Sequence, residues 1–162
     1  MEIIEPREVS YAGFWLRLAA YIIDYIVLQL VVGIMSLPFM VGMITGIIAA
    51  SKEASEGPEV IAIVGVIMSF VFVIVIISLI VGWLYYALLE SSKYQGTLGK
   101  VAVGIKVTDT VGNKITFARA TGRYFGKIIS SMTIYIGFIM AGFTVKKQAL
   151  HDIMSDCLVI KK

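Results

Sequence analysis

From Val60 to Leu89 the sequence carries no charge at all, and from Leu18 to Ala50 Asp24 is the sole charged residue. Stretches of that length exclude a water-soluble globular domain, because each exceeds the roughly 20 residues that cross a bilayer core of about 30 Å. A mean hydropathy of +0.91 and 59% hydrophobic residues point the same way. Cysteine occurs once, at Cys157, which excludes an internal disulfide and argues against a cysteine metal cluster. Histidine also occurs once, at His151, and His151-Asp152 has no metal-ligand spacing. Cys157 with His151 carries no nucleophile signature, so neither an enzyme nor a cofactor is expected. Basic residues are scarce at the start, where MEIIEPREVS is net acidic. A signal peptide begins with a basic segment, so the first apolar block is expected to stay as an anchor.

What the chain does contain is an uneven charge distribution. The segment SKEASEGPE sets Lys52 against Glu53, Glu56 and Glu59. Beyond Glu90 come Lys93, Lys100, Lys106, Lys114, Arg119, Arg123 and Lys127, and the tail adds Lys146, Lys147, Lys161 and Lys162. Loops rich in Lys and Arg stay in the cytoplasm. The expected protein is therefore multi-pass in the cell membrane, with its N-terminus and basic loop cytoplasmic. Tyr11, Phe14 and Trp15, and Trp83, Tyr85 and Tyr86, fall where this places the inner interface.

These signals predict one membrane domain, 1–162, of the all-α class. A first helix over 11–50 is bent at Pro38, with Ser10 a candidate N-cap and the main helix ending near Leu37. An external loop over 51–59 leads to a second helix over 60–90, and a cytoplasmic loop follows over 91–123. In that loop GIKVTDTVGNKITF reads as a β-hairpin of Ile105–Thr108 with Lys114–Phe117 around Gly112-Asn113. CLVIKK has the same character and is available as a further strand. A third apolar segment over 124–144 is rich in glycine and serine and contains Lys127. It is expected to re-enter or form a short helical hairpin bent near Thr133–Gly137; a plain third span is the alternative. A span would carry the basic tail, 145–162, to the outside.

Arg17 and Asp24 stand seven residues apart in the first helix, hence on nearly one face, with Gly13 and Ala20 between and before them. That stripe of small and charged residues suits protein contact. Arg17 either snorkels to the headgroups or pairs with another segment, for which Asp152 is the candidate. Asp152 is otherwise an acid capping the next turn. Asp24 reads as near mid-membrane, where a charge costs about 2.5–3.5 kcal/mol. It is therefore either a buried packing residue or part of a proton or cation path. Glu90 either joins this constellation or faces water at the interface.

GTLGK lacks the spacing of a phosphate loop. Its glycines are expected to turn tightly at the membrane surface, with Lys93 and Lys100 near anionic lipid. No nucleic-acid module is visible. Gly65-x-x-x-Ser69 and Ser78-x-x-x-Gly82 allow close helix approach. Because two helices enclose little interior, a homo-oligomer is expected to shield Asp24.

Together GFWLRLAAYIID, QGTLGKVAVGIKVTDTVGNKITFARATGRY and ALHDIMSDCLVIKK resemble the RDD family of small prokaryotic membrane proteins. The resemblance covers nearly the whole chain. The family is named for one arginine and two aspartates, which correspond by motif position to Arg17, Asp24 and Asp152. It implies that these three form one constellation; His151, next to Asp152, and Glu90 are grouped with it from the residues themselves. It also implies a role in transport or cation/proton exchange, as suggested for some members. The alternative is a non-transporting scaffold or accessory subunit in which the same residues are structural. The partners expected are a lipid bilayer, a small cation or proton, and further copies of the chain.

Overall fold

The computed structural model describes residues 9–53, 59–132 and 136–162. Helices dominate because a bilayer demands that each backbone group bond within its own segment. Helix α1 spans Phe14–Glu53 and α2 spans Glu59–Glu90. Both are long and apolar enough to cross a membrane. The first runs through Pro38 as one helix from Phe14 to Glu53, against the expected 11–50, and Tyr11 lies before it in a β-bridge. Pro38 forgoes one backbone hydrogen bond, a loss that a long apolar helix tolerates in lipid.

The chain divides into two compact units. Unit Ile26–Gly82 holds the apolar middle of α1 and the apolar bulk of α2. Its large side chains, among them Leu30, Ile34, Ile61 and Phe72, face outward, as suits a lipid solvent. Gly46 and Val66 meet within it, and a Cβ on Gly46 would lie 3.3 Å from Val66.

The other unit combines the described residues up to Tyr25 with Trp83–Lys162. After α2 it contains helix α3 (Leu98–Ala102), strand β1 (Ile105–Asp109), helix α4 (Phe117–Met132), helix α5 (Ile136–Phe143), helix α6 (Leu150–Met154) and strand β2 (Cys157–Lys161). The strands pair antiparallel with Val107 opposite Val159 and Asp109 opposite Cys157. Alternation turns Ile105, Val107, Cys157 and Val159 into a core completed by Ala12, Ala20, Ala87, Ile115 and Ala120.

The sheet thus differs from the expected hairpin. A turn does form at Gly112, and Asp109 Oδ1 accepts from the Val111 and Asn113 amides at 2.9 and 2.8 Å. The run after it is not a strand. Ile115 is buried in the core, and Thr116 starts α4, its Oγ1 accepting from the Arg119 amide at 3.3 Å. CLVIK supplies the partner strand instead. Both sheet edges are covered, which removes a site of aberrant pairing. Val107 donates its amide to Gln95 O at 2.6 Å on one side. Ala12 donates to Val159 O and Lys161 to Ser10 O on the other, each at 2.8 Å. Ser10 is therefore an edge residue of the sheet, not the cap of α1.

Strand β1 precedes the third apolar segment and β2 follows it, and the two hydrogen-bond, so both ends of the segment return to one small sheet, with a bent pair of helices between them. The expected bend point falls partly on residues 133–135, outside the described residues; on either side of them α4 and α5 run at 103°. Helix α4 is apolar outward and polar inward. Phe125, Ile128, Ile129 and Met132 are exposed, whereas Ala120, Arg123, Gly126 and Ser130 are buried. An outward apolar face of this kind is shaped for lipid.

Candidate functional site

All five residues singled out above lie in the unit that carries the sheet, in two neighbouring polar centres. The first is built on Asp24, which is 1% exposed. Its Oδ1 accepts from Tyr85 Oη and from the Gly99 amide, both at 2.7 Å, and its Oδ2 accepts from Thr97 Oγ1 at 2.5 Å. A helix begins with amides that lack internal partners. Here the amides opening α3 are met by side chains: Leu98 donates to Tyr85 Oη at 3.2 Å, Gly99 to Asp24, and Lys100 to Thr97 Oγ1 at 3.4 Å. Asp24 thus holds the start of α3, and none of its three partners is a cation. Gly99 is required for this approach. A Cβ there would collide with the Ala20 carbonyl oxygen and lie 2.9 Å from the Asp24 carboxylate.

The second centre is a chain of ion pairs. Arg17 Nη1 donates to Asp152 Oδ2, while its Nε reaches Ala12 O at 2.9 Å and its Nη2 reaches Lys147 O at 2.6 Å. Those bonds and a side chain only 13% exposed replace the snorkelling alternative. Arg123 bridges the two acids. Its Nε and Nη2 donate to Asp152 Oδ1 at 2.8 and 2.5 Å, and its Nη1 donates to Glu90 Oε2 at 2.8 Å. Glu90 Oε1 takes Lys100 Nζ at 2.5 Å and Lys127 Nζ at 3.5 Å. Asp152 also caps α6, accepting from the Ala149 amide at 3.1 Å. Pairing at this density is what makes buried charge tolerable, since a lone buried ion costs several kcal/mol.

His151 packs its ring 5.1 Å from that of Phe138, with Nδ1 3.4 Å from Ser130 Oγ and Nε2 3.4 Å from Asp152 Oδ1. Gly126 admits it, because a Cβ there would lie 3.1 Å from His151 Cβ. Burial pushes the imidazole down to about 3 from its usual 6.5, against the opposing pull of Asp152 and with the charges of Arg123, Lys127 and Arg17 adding to the fall. Burial alone would raise the Asp152 carboxyl, but Arg123 and Arg17 outweigh it and hold the group well below the usual carboxylate range. Burial raises the Cys157 thiol, which leaves it unreactive.

The sign for stability follows. Folded His151 stays neutral where the unfolded chain takes up a proton, so its contribution is complete above about pH 6.5 and falls towards pH 3. The expected loss is at most about 1.4 kcal/mol per pH unit. Asp152, depressed when folded, adds its own loss only below the ordinary carboxylate range. In mild detergent the melting temperature should therefore fall from pH 7 to pH 5, and His151→Asn should flatten that slope. An unchanged slope in the variant would assign the acid sensitivity elsewhere.

Several members of these centres are not legible from the opening motif. Arg123, Lys100, Lys127, Tyr85, Thr97 and Gly99 join the five. A signal for Arg123 does exist: Ala120, Arg123, Gly126 and Ser130 repeat on α4 the stripe of small and polar residues that marks Arg17 and Asp24 on α1. Lys100 corrects the expectation of a lipid-facing lysine, since it turns inward to Glu90 and is 7% exposed. Asp24 corrects another. A single chain shields it, so shielding gives no reason to invoke a second copy. Among the described residues, no group of three His, Cys, Asp or Glu side chains is placed to hold a metal ion.

The model of the RDD family matches residues 11–156. The chain is 36% identical over 152 residues to "Uncharacterized protein YxaI" of Bacillus subtilis (strain 168), covering 93% of this chain and 97% of that one. It is 26% identical over 157 residues to "Uncharacterized membrane protein YteJ" of the same organism, covering 93% and 81%. No solved structure matches it.

Proposed function

From the premise that the chain belongs to the RDD family, we propose that it is a membrane scaffold or accessory subunit whose charged residues fasten a folded cap to two spanning helices. The cap comprises residues 10–12 and 91–162. The observation that carries this reading is that each of Asp24, Glu90 and Asp152 already accepts from cations or from O–H and N–H donors on both carboxylate oxygens. A hard cation needs a cage of oxygen ligands, and Arg17, Arg123 and Lys100 occupy that place. The bases of the cap support a cytoplasmic location at the cell membrane, with the acidic segment around Glu53 outside.

One observation favours a second reading, proton or cation exchange. Of the three acids in these centres, Asp24 is the one held by hydroxyls and an amide and not by a cation, so a small cation there would displace no ion pair. Asp24→Asn in reconstituted vesicles separates the two readings through pH and cation flux. Under the scaffold reading, wild type and variant show the same background flux. The variant loses about 1–3 kcal/mol of stability, because asparagine cannot satisfy all three donors. A flux present in wild type and abolished in a folded variant would replace the scaffold by an exchanger.

A further inference from the structure

Charge does not balance inside the cap. Arg17, Lys100, Arg123 and Lys127 bring four cations to Glu90 and Asp152, and adding Asp24 makes three acids. With all four protonated, four minus three leaves one positive charge in a poorly hydrated place, and burial accordingly pushes the Lys127 ammonium down to about 7 from its usual 10.5.

The surplus localises to Lys127. Its ammonium lies 3.5 Å from Glu90 Oε1, an oxygen that Lys100 holds at 2.5 Å. Its other neighbour is the ring of Tyr86, 3.4 Å from the ring centroid. A cation so placed is attracted to the ring face but not neutralised by it. Its side chain is also 18% exposed, against 13% for Arg17, 9% for Lys100 and 1% for Arg123, so it is the most accessible of the four cations, and Arg17 already has Asp152 Oδ2 as its partner. The surface beside it on α4 is apolar, with Phe125, Ile128 and Ile129 exposed. An accessible cation at the edge of an acyl-shaped surface matches a molecule with one negative charge and a hydrocarbon tail.

We propose that Lys127, backed by Tyr86, binds the phosphate of an anionic phospholipid, which supplies the missing negative charge of the cap. The lipid is a specific ligand, one per chain, and the surface lysines contribute little to its retention.

The test uses the full chain in a neutral detergent, with phosphatidylglycerol, phosphatidylcholine or inorganic phosphate added at equal concentration. Native mass spectrometry and thermal unfolding are the readouts. Wild type should retain one phosphatidylglycerol and unfold at a higher temperature with it than with either other probe. Lys127→Gln should bind it at least about tenfold more weakly. Lys127→Arg should keep the preference, and Lys93→Gln on the exposed surface should leave it unchanged. Since Lys127→Gln removes the surplus charge, it should be no less stable than wild type in phosphatidylcholine. A destabilised variant there would overturn the charge argument. Equal lipid binding by wild type and Lys127→Gln would overturn the site, and equal stabilisation by inorganic phosphate would overturn its assignment to lipid.

Discussion

Asp152→Asn is expected to cost about 3–5 kcal/mol of stability, the range for breaking a buried pair from one side. The side chain that remains has nearly the same shape, so the loss reflects charge. Arg17 would keep only the Ala12 and Lys147 carbonyls, and Arg123 would keep Glu90. The cap already holds one cation too many, and the variant would hold two. The α6 cap would also weaken, since Ala149 donates to the Asp152 carboxylate. Thermal unfolding in mild detergent, followed by tryptophan fluorescence, should show a large drop and a loss of monodispersity. Asp156→Asn, four residues along and exposed, should stay within about 0.5 kcal/mol of wild type. A variant at Asp152 that melts with wild type would show that the network is not what holds the cap.

Gly99→Ala should rank with it, through sterics. The added methyl would press on the Ala20 carbonyl and the Asp24 carboxylate. Neither is the free end of a flexible side chain. Relief requires α3 to move away from α1, which strips Asp24 of the Gly99 amide and the Thr97 hydroxyl together. Overpacking costs about 1–3 kcal/mol, and an orphaned buried acceptor about the same again. Amide exchange at residues 98–100 should accelerate sharply. Gly122→Ala provides the contrast: nothing lies within 4 Å of its added Cβ, and it sits inside α4. That change should be neutral or stabilising by up to about 1 kcal/mol. Equal protection at 98–100 in Gly99→Ala would mean that the contact with Asp24 is dispensable.

The spanning helices were legible because bilayer thickness imposes a length that a sequence cannot hide. The Arg17–Asp24 stripe was legible because charge in such a run demands protein around it. Other features depend on partners distant in sequence. The turn at Gly112 is a local signal, and it formed. Which strand lies beside Ile105–Asp109 is not local, and Thr116 serves as the cap of α4 before a second hairpin strand can extend. Lys100 was misread for a related reason: a lysine in a surface loop normally seeks water, and only the carboxylate of Glu90 ten residues earlier turns it inward. Asp24 shows the same dependence: the groups that meet it, Tyr85, Thr97 and the Gly99 amide, come from parts of the chain that no pattern in the first helix announces.

The order of synthesis gives the latch a temporal meaning. Arg17 leaves the ribosome 135 residues before Asp152, and the strand that ties down Ser10 and Ala12 comes later still. During insertion the first helix therefore carries an unmatched cation and a loose leading segment, and both are resolved only when translation has passed β2. A polypeptide halted before that strand would hold both long apolar helices and no assembled cap.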